Sequence, residues 1–270
     1  MDIDKIDDKK IERIRERSPN CYIPDFMVSS LSEYFEITKT LVSAEKDYWF
    51  RGQGNTNWDL TPQGLRPESQ SSRTNSLRTL DKFKRKAPLK LDRNPDNELG
   101  WVQLARHYGL PTRLLDWTEN SAIALYFACQ AHEEDGLVFL FDPFDLNIRV
   151  DPENPRIFDA NRDQDKIEEY LNLTGIIRRD GNYKTVAINP VWNSERIIQQ
   201  KGTFTLHGNR TKDFTQNEVS SLAAIPILSE YKKTILKDLE MIGVEEMSIF
   251  PEPEHTANYL KDKLDYDREE

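Results

Sequence analysis

Residues 101–130 constrain the fold most, because they place a short polar loop between two apolar helices. The segment reads WVQLARHYGLPTRLLDWTENSAIALYFACQ. Helical periodicity covers 101–108 and 119–132, and the Gly-Leu-Pro turn at 109–111 ends the first helix. Residues 114–118 are predicted to be extended. A loop held in this way between two core helices can position its side chains over a pocket.

The remaining sequence predicts an α+β fold with five to seven strands in a single mixed sheet flanked by helices. Short apolar or aromatic runs predict strands at 48–53, 137–143, 184–188, 203–207, 223–228 and 247–251. Further helices are predicted at 26–42, 77–90, 194–200, 229–242 and 255–264.

The chain divides into three predicted parts. Residues 1–40 form a helical arm, 41–264 the α+β domain and 265–270 an acidic tail. Inside the domain we expect a basic helical insert at 66–98 and a variable excursion at 142–182, which is rich in charge and proline.

Composition excludes several classes of protein. No apolar run approaches the ~18 residues of a membrane-spanning helix, and no apolar leader follows Met1, so a cytoplasmic location is expected. A net charge of −10 argues against broad binding to nucleic acids or anionic membranes. The four histidines lack metal-ligand spacing, so no metal site is expected. Phosphate-loop, dinucleotide-fingerprint and nucleophile-elbow motifs are absent. The sequence does not indicate the oligomeric state.

One strip of the chain has the opposite charge. Residues 66–93 hold nine lysines and arginines against three acids. This strip is either a solvated helix face or a surface that contacts phosphate, for example on a protein or nucleic-acid acceptor.

The polar residues of the central segment offer candidate chemistry. Arg113 and Asp116 are close enough to pair, and their pair either fixes the turn or belongs to a site. His107 either caps backbone carbonyls or acts as an acid or base. On the aromatic strand before this segment, Arg51 is either partnered in the core or directed into a cleft. Gln53 shares its strand face, so the two could hold one ligand.

Four ordered motifs carry a resemblance to a known family. They are Phe50-Arg51-Gly52-Gln53, LARHYGLPTRLLDWTENSAIALYFA at 104–128, ERIIQQKGTFTLHG at 195–208 and IGVEEMSIFPEPEHTANYL at 242–260. From about Tyr48 to Leu260 the chain resembles the FRG domain family, which is named for the first tripeptide.

The order of these elements also resembles that of ADP-ribosyltransferase-like folds, which implies NAD as substrate. In that resemblance Arg51 and Gln53 hold the phosphates, because a guanidinium binds a diphosphate bidentately. Trp117 or Tyr126 stacks on nicotinamide. His107 acts as the acid or base.

The same resemblance implies further roles in the pocket. Thr112, Arg113, Asp116 and Thr118 build its wall, with Asp116 as the preferred acidic group. Gln200 acts at the ribose. The later strand has no glutamate at its start, so Glu195 or Glu218 is the alternative acid.

Three functions remain open at this point. The first is an NAD-using ADP-ribosyltransferase-like enzyme, as in a toxin or a phage-defence effector. The second is a non-catalytic module that binds a nucleotide or a nucleic-acid end in the same pocket. The third, a metal-dependent nuclease built on Asp116, lacks the cluster of carboxylates that Mg²⁺ needs.

Overall fold

The computed structural model describes residues 8–17, 21–25, 27–66, 73–91, 93–131, 133–171, 184–192, 194–208 and 219–266. Seven strands lie within these ranges: β1 Trp49–Gln53, β2 Leu114–Thr118, β3 Gly136–Phe141, β4 Phe158–Asp159, β5 Val186–Asn189, β6 Gly202–Leu206 and β7 Ala223–Ile227. The same ranges hold eleven α-helices: α1 Asp8–Arg17, α2 Leu31–Leu41, α3 Arg73–Lys86, α4 Glu98–His107, α5 Ser121–Cys129, α6 Pro143–Asn147, α7 Gln164–Leu171, α8 Glu195–Gln199, α9 Lys232–Met241, α10 Glu246–Ile249 and α11 Pro253–Tyr266.

The strands form one mixed sheet in the order β4-β5-β6-β2-β1-β3-β7. Neighbouring strands are antiparallel except β4 and β5, which are parallel. The α+β class and the single mixed sheet are therefore confirmed.

The ladder between β1 and β2 is short. β1 pairs with β3 at five positions, and β2 pairs with β6 at five. Between β1 and β2, in the part of the chain that the structure describes, the only paired position is Phe50 opposite Thr118. Because an uninterrupted ladder would continue beyond that pair, the two central strands diverge there.

Helix α5 covers one face of the sheet at its centre. Its sequence, SAIALYFAC, is apolar on nearly every side, which is typical of a helix buried all round. Asn120 begins it by accepting a hydrogen bond from the backbone N–H of Ala122. Gly52 lets α5 approach β1 closely, because a Cβ there would lie 1.8 Å from the carbonyl oxygen of Ala124.

Two further layers of apolar side chains complete the core. The face opposite α5 buries an aromatic group, in which Trp49 and Trp117 both pack edge-on against Phe141. Ile11 and Ile14 of α1 are buried in the same cluster. The third cluster packs α4 and α7 against the β5–β6 end of the sheet.

The strand predicted at 247–251 is wrong. Residues Glu246–Ile249 are a short helix, α10, because Ser248 and Glu245 cap its first turn reciprocally. The backbone N–H of Glu245 donates to Ser248 Oγ at 3.0 Å, and that hydroxyl donates to the Glu245 carbonyl at 2.8 Å. The predicted excursion at 142–182 contains α6, β4 and α7, and residues 172–182 lie outside the described residues.

Two kinds of feature are absent from the described ranges. No helix there combines the length and apolarity needed to cross a membrane. No three His, Cys, Asp or Glu side chains among those residues come together as metal ligands would.

Candidate functional site

A cavity of about 480 Å³ lies where β1 and β2 diverge. Three consecutive residues from each of three strands line it, namely 50–52 of β1, 116–118 of β2 and 202–204 of β6. Residues of α4, α5 and α8 complete the wall together with Gln63, Gly109 and Gln200. The cavity therefore lies at the centre of the sheet, beside the polar segment that the sequence singles out.

Six of the predicted site residues line this cavity and four do not. The six are Arg51, His107, Asp116, Trp117, Thr118 and Gln200. The wall does not include Gln53, Thr112, Arg113 or Tyr126, all of which lie in the described part of the chain.

Arg51 bridges the gap between the two diverging strands. Its Nη1 donates to the backbone carbonyl of Asp116 at 2.7 Å and lies 3.8 Å from the Asp116 carboxylate. Its Nε is buried, with no hydrogen-bond partner among the described residues. Burial lowers the pKa of Arg51 to about 10, so the guanidinium stays charged at neutral pH.

The carboxylate of Asp116 is held by Arg106. Arg106 Nε donates to Oδ1 at 2.6 Å, and Arg106 Nη2 donates to Oδ2, which gives a bidentate ion pair. Burial alone would raise the pKa of Asp116, but Arg106 and then Arg51 hold it below its usual range. Asp116 is therefore ionised at neutral pH.

The predicted pairing of Asp116 with Arg113 is wrong. Arg113 instead donates to three backbone carbonyls: Nη1 to His207 at 2.9 Å, and Nη2 to Leu171 at 3.2 Å and to Tyr170. It therefore joins the end of β6 to the end of α7. Arg106, one turn of α4 away from the loop, occupies the position next to Asp116 because the chain reverses at Gly109.

His107 ends α4 at the rim of the cavity, beside an arginine and a glutamate. Its Nε2 lies 3.9 Å from a carboxylate oxygen of Glu252, and Arg196 Nη1 lies 3.7 Å from the same oxygen. Burial and then the charge of Arg196 lower the pKa of His107, while Glu252 opposes the shift. Arg196 is also stacked 4.6 Å over the ring of Phe250.

Two more buried polar side chains line the wall. Gln103 of α4 and Thr203 of β6 are each 3% exposed. Within the described ranges, both amide atoms of Gln103 and the Thr203 hydroxyl have no hydrogen-bond partner. Buried polar atoms without partners are rare in folded proteins, so this wall is unusual.

Residues 46–136 match the family model of the FRG domain. This part of the chain is an FRG domain. The matched residues run from just before β1 to the start of β3, and they include the tripeptide Phe50-Arg51-Gly52 and the cavity residues of α4 and β2. No curated protein and no solved structure is significantly similar to the chain.

Gln200, the residue predicted at the ribose, already makes hydrogen bonds within the fold. Its Nε2 donates to the carbonyl of Ile249 at 3.3 Å, and its own carbonyl accepts from Thr118 Oγ1 at 2.6 Å. Of the alternative acids, Glu195 is exposed on α8 and does not line the cavity, and Glu218 lies outside the described residues.

Besides Arg113, three predicted residues lie outside the wall and make other contacts. Gln53 Nε2 donates to the carbonyl of Asp59 at 3.4 Å. Thr112 Oγ1 accepts from the backbone N–H of Leu114, and Tyr126 belongs to the apolar core under α5. Their predicted roles toward a cofactor stay predictions.

Sequence reasoning missed six polar residues at or beside the cavity. Five of them line it, and the sixth, Glu252, lies beside Arg196: the five are Gln63, Gln103, Arg106, Arg196 and Thr203. Helical spacing offered a signal for two of them, because 103, 106 and 107 share one face of α4. Glu252 lies far along the chain, beyond α10, and nothing in the local sequence indicates its position.

Proposed function

We propose that the FRG domain of this chain binds a phosphate-bearing nucleotide in the central cavity, with NAD as the first candidate. The observation that carries this proposal is the charge of the wall. Three guanidinium groups, those of Arg51, Arg106 and Arg196, line the cavity with a single carboxylate, Asp116. Arginine binds phosphate oxygens bidentately, and a partly enclosed site strengthens that attraction.

The dimensions and the apolar wall support the same ligand class. A volume of about 480 Å³ lies within the ~300–1,000 Å³ range of small-molecule sites. Phe50, Phe127 and Phe204 line the cavity together with Trp117, so a planar ring would find apolar contacts beside the guanidinium groups. A nucleotide could place its phosphates against the arginines and its base or nicotinamide ring against the aromatic side chains, so it would contact both parts of the wall.

Calorimetric titration with NAD, ADP and pyrophosphate tests this proposal. Arg51→Gln removes one charge from the cavity and should weaken the binding of all three. Since a hydrogen bond to a charged group is worth ~1.5–3 kcal/mol, the expected loss is about 10- to 150-fold. The control is Arg93→Gln, which removes an exposed arginine paired with Asp96 and should leave the affinities unchanged. No binding by the wild type, or equal binding by both variants, would refute the proposal.

A second candidate function is transfer of ADP-ribose from NAD. The observation in its favour is a neighbouring cavity of about 380 Å³ that shares Gly202 and Thr203 with the first, as a donor and an acceptor site would. A carboxylate that could stabilise an oxocarbenium ion is Glu252, which lies beside His107 and Arg196 and whose Oε2 is buried without a partner among the described residues.

Chromatography of free nicotinamide tests the transferase. We expect release by the wild type in the presence of NAD and its loss in Glu252→Gln, while NAD affinity falls less than threefold. Tight NAD binding with no release, with or without protein and nucleic-acid acceptors, would leave the non-catalytic nucleotide-binding module as the function. An acceptor surface at 66–93, a role in toxicity or phage defence and a cytoplasmic location stay predictions from the sequence.

A further inference from the structure

Gln103 lies in the wall of the cavity with its hydrogen-bonding capacity unused. The side chain projects from the middle of α4, and the residue is 3% exposed. Neither Oε1 nor Nε2 has a partner in the part of the chain that the structure describes. Because an unpaired buried amide destabilises the folded protein, the fold itself gains nothing from a glutamine here.

Gln200, another glutamine of this wall, differs in just this respect. The Nε2 of Gln200 donates a hydrogen bond to the Ile249 carbonyl, so Gln200 has a structural role. Two further unpaired buried atoms, Arg51 Nε and Thr203 Oγ1, belong to residues of the same cavity as Gln103. Unpaired atoms gathered around one cavity indicate hydrogen bonds that a bound molecule completes.

A primary amide has a defined complement. It offers one acceptor and one donor side by side, so it pairs with a group that presents an N–H next to a carbonyl or ring nitrogen. Glutamine reads adenine through such a pair of bonds. The carboxamide of nicotinamide presents the same edge.

We propose that Gln103 determines which nucleotide the cavity accepts, by pairing its amide with a donor–acceptor edge on the ligand's ring. This inference rests on the proposed nucleotide binding. The edge has two possible sources, the amino-bearing side of adenine and the carboxamide of nicotinamide. Phosphate affinity comes from the arginines, so Gln103 contributes to selection between rings and not to binding of the phosphates.

Two matched ligand pairs test the proposal and separate the sources. ADP is compared with purine riboside diphosphate, which lacks the amino group. Nicotinamide mononucleotide is compared with its 3-acetylpyridine analogue, in which a methyl group replaces the amide nitrogen. In one of the two pairs, we expect the ligand with the complete donor–acceptor edge to bind the wild type about 5- to 150-fold more tightly than its analogue. This is the range for one bidentate contact. The pair that shows the preference identifies the source.

Gln103→Met keeps the length of the side chain and removes both hydrogen-bonding atoms. In this variant the preference should fall below twofold, while the affinity for pyrophosphate stays unchanged. The control is Gln199→Met on α8, which is exposed and does not line the cavity, and it should retain the full preference. A melting temperature no lower than that of the wild type establishes that Gln103→Met is folded.

Two results would overturn the inference alone: equal affinities within both pairs in the wild type, or a preference that survives in Gln103→Met. Each is observable only when the nucleotides bind, so each leaves the proposed function standing. Failure of pyrophosphate and of all four nucleotides to bind the wild type would instead refute the proposed function, and the inference with it.

Discussion

Replacing Gly52 by alanine would test how closely α5 approaches β1. The added Cβ would lie 1.8 Å from the carbonyl oxygen of Ala124 and 2.6 Å from the backbone nitrogen of Ala128. Both atoms belong to the backbone of α5, so no side-chain rotation relieves the contact. The helix itself must move away from the strand, and with it the apolar cluster that it covers.

The size of the effect follows from that geometry. Overpacking in a core costs ~1–3 kcal/mol when side chains and backbone adjust locally. Since a whole helix must shift here, we expect the free energy of unfolding of Gly52→Ala to fall by ~3 kcal/mol or more. A domain of this size loses ~2–4 °C per kcal/mol, so the melting temperature should fall by ~6–12 °C.

The matched control is Gly243→Ala, which tests backbone conformation without a steric clash. Gly243 has a φ of +80°, and a Cβ added to it would meet no atom of the described residues within 4 Å. Left-handed backbone costs a non-glycine residue ~1–2 kcal/mol, so this variant should lose less stability. Thermal melts followed by circular dichroism compare the two variants. If Gly52→Ala melts within ~3 °C of the wild type, or above Gly243→Ala, the close approach of α5 to β1 is wrong.

Three further outcomes follow from buried polar groups. Burial, Arg113 and Arg51 lower the pKa of His207 to about 3, so the folded protein keeps it neutral while the unfolded chain binds a proton below pH ~6.5. Stability should therefore fall with decreasing pH by ~1.4 kcal/mol per unit between about pH 6 and pH 4, and urea denaturation of His207→Gln should lack this contribution. The buried Nζ of Lys232 donates to the carbonyl of Gly54 at 2.8 Å and to that of Ala131. Lys232→Met should therefore lower the free energy of unfolding, measured in urea, by ~1–3 kcal/mol. An unchanged free energy of unfolding would contradict these hydrogen bonds. Gln103→Met should raise the free energy of unfolding by ~1–3 kcal/mol, because it removes an unpaired buried amide. A lower free energy of unfolding would show that the amide of Gln103 is hydrogen-bonded in the folded protein.

Local patterns were sufficient for much of the fold. The run SAIALYFAC predicts a buried helix and the run LVFLF a buried strand, because apolar side chains on all sides leave few other states. The strand prediction for residues 247–251 was wrong for the opposite reason. A four-residue helix has too few turns to show a period, and the reciprocal cap of Glu245 and Ser248 decided its conformation.

The residues of the cavity were predictable where they come from one segment of the sequence. His107, Asp116 and Thr118 come from the polar loop region, and they do line a common cavity. The ion-pair partner of Asp116 was not predictable. The distance between Asp116 and each arginine depends on where α4 lies relative to β2. Arg106 is ten residues away and makes the pair, whereas Arg113, three residues away, turns toward α7.

The tripeptide Phe50-Arg51-Gly52 links the fold to the cavity through three different contacts. Phe50 lies opposite Thr118, at the last position where β1 and β2 pair, and its ring is buried in the cluster under α5. Gly52 admits the backbone of α5 against the strand. Arg51 lies between them, where the ladder stops, and its guanidinium binds the Asp116 carbonyl that a continued ladder would direct at the β1 backbone. The divergence of the strands therefore creates both the opening and the need for a long cationic side chain across it. An apolar residue at position 51 would leave that carbonyl unpaired and the cavity without its central charge, which is why we expect structure and ligand affinity to depend on the same arginine.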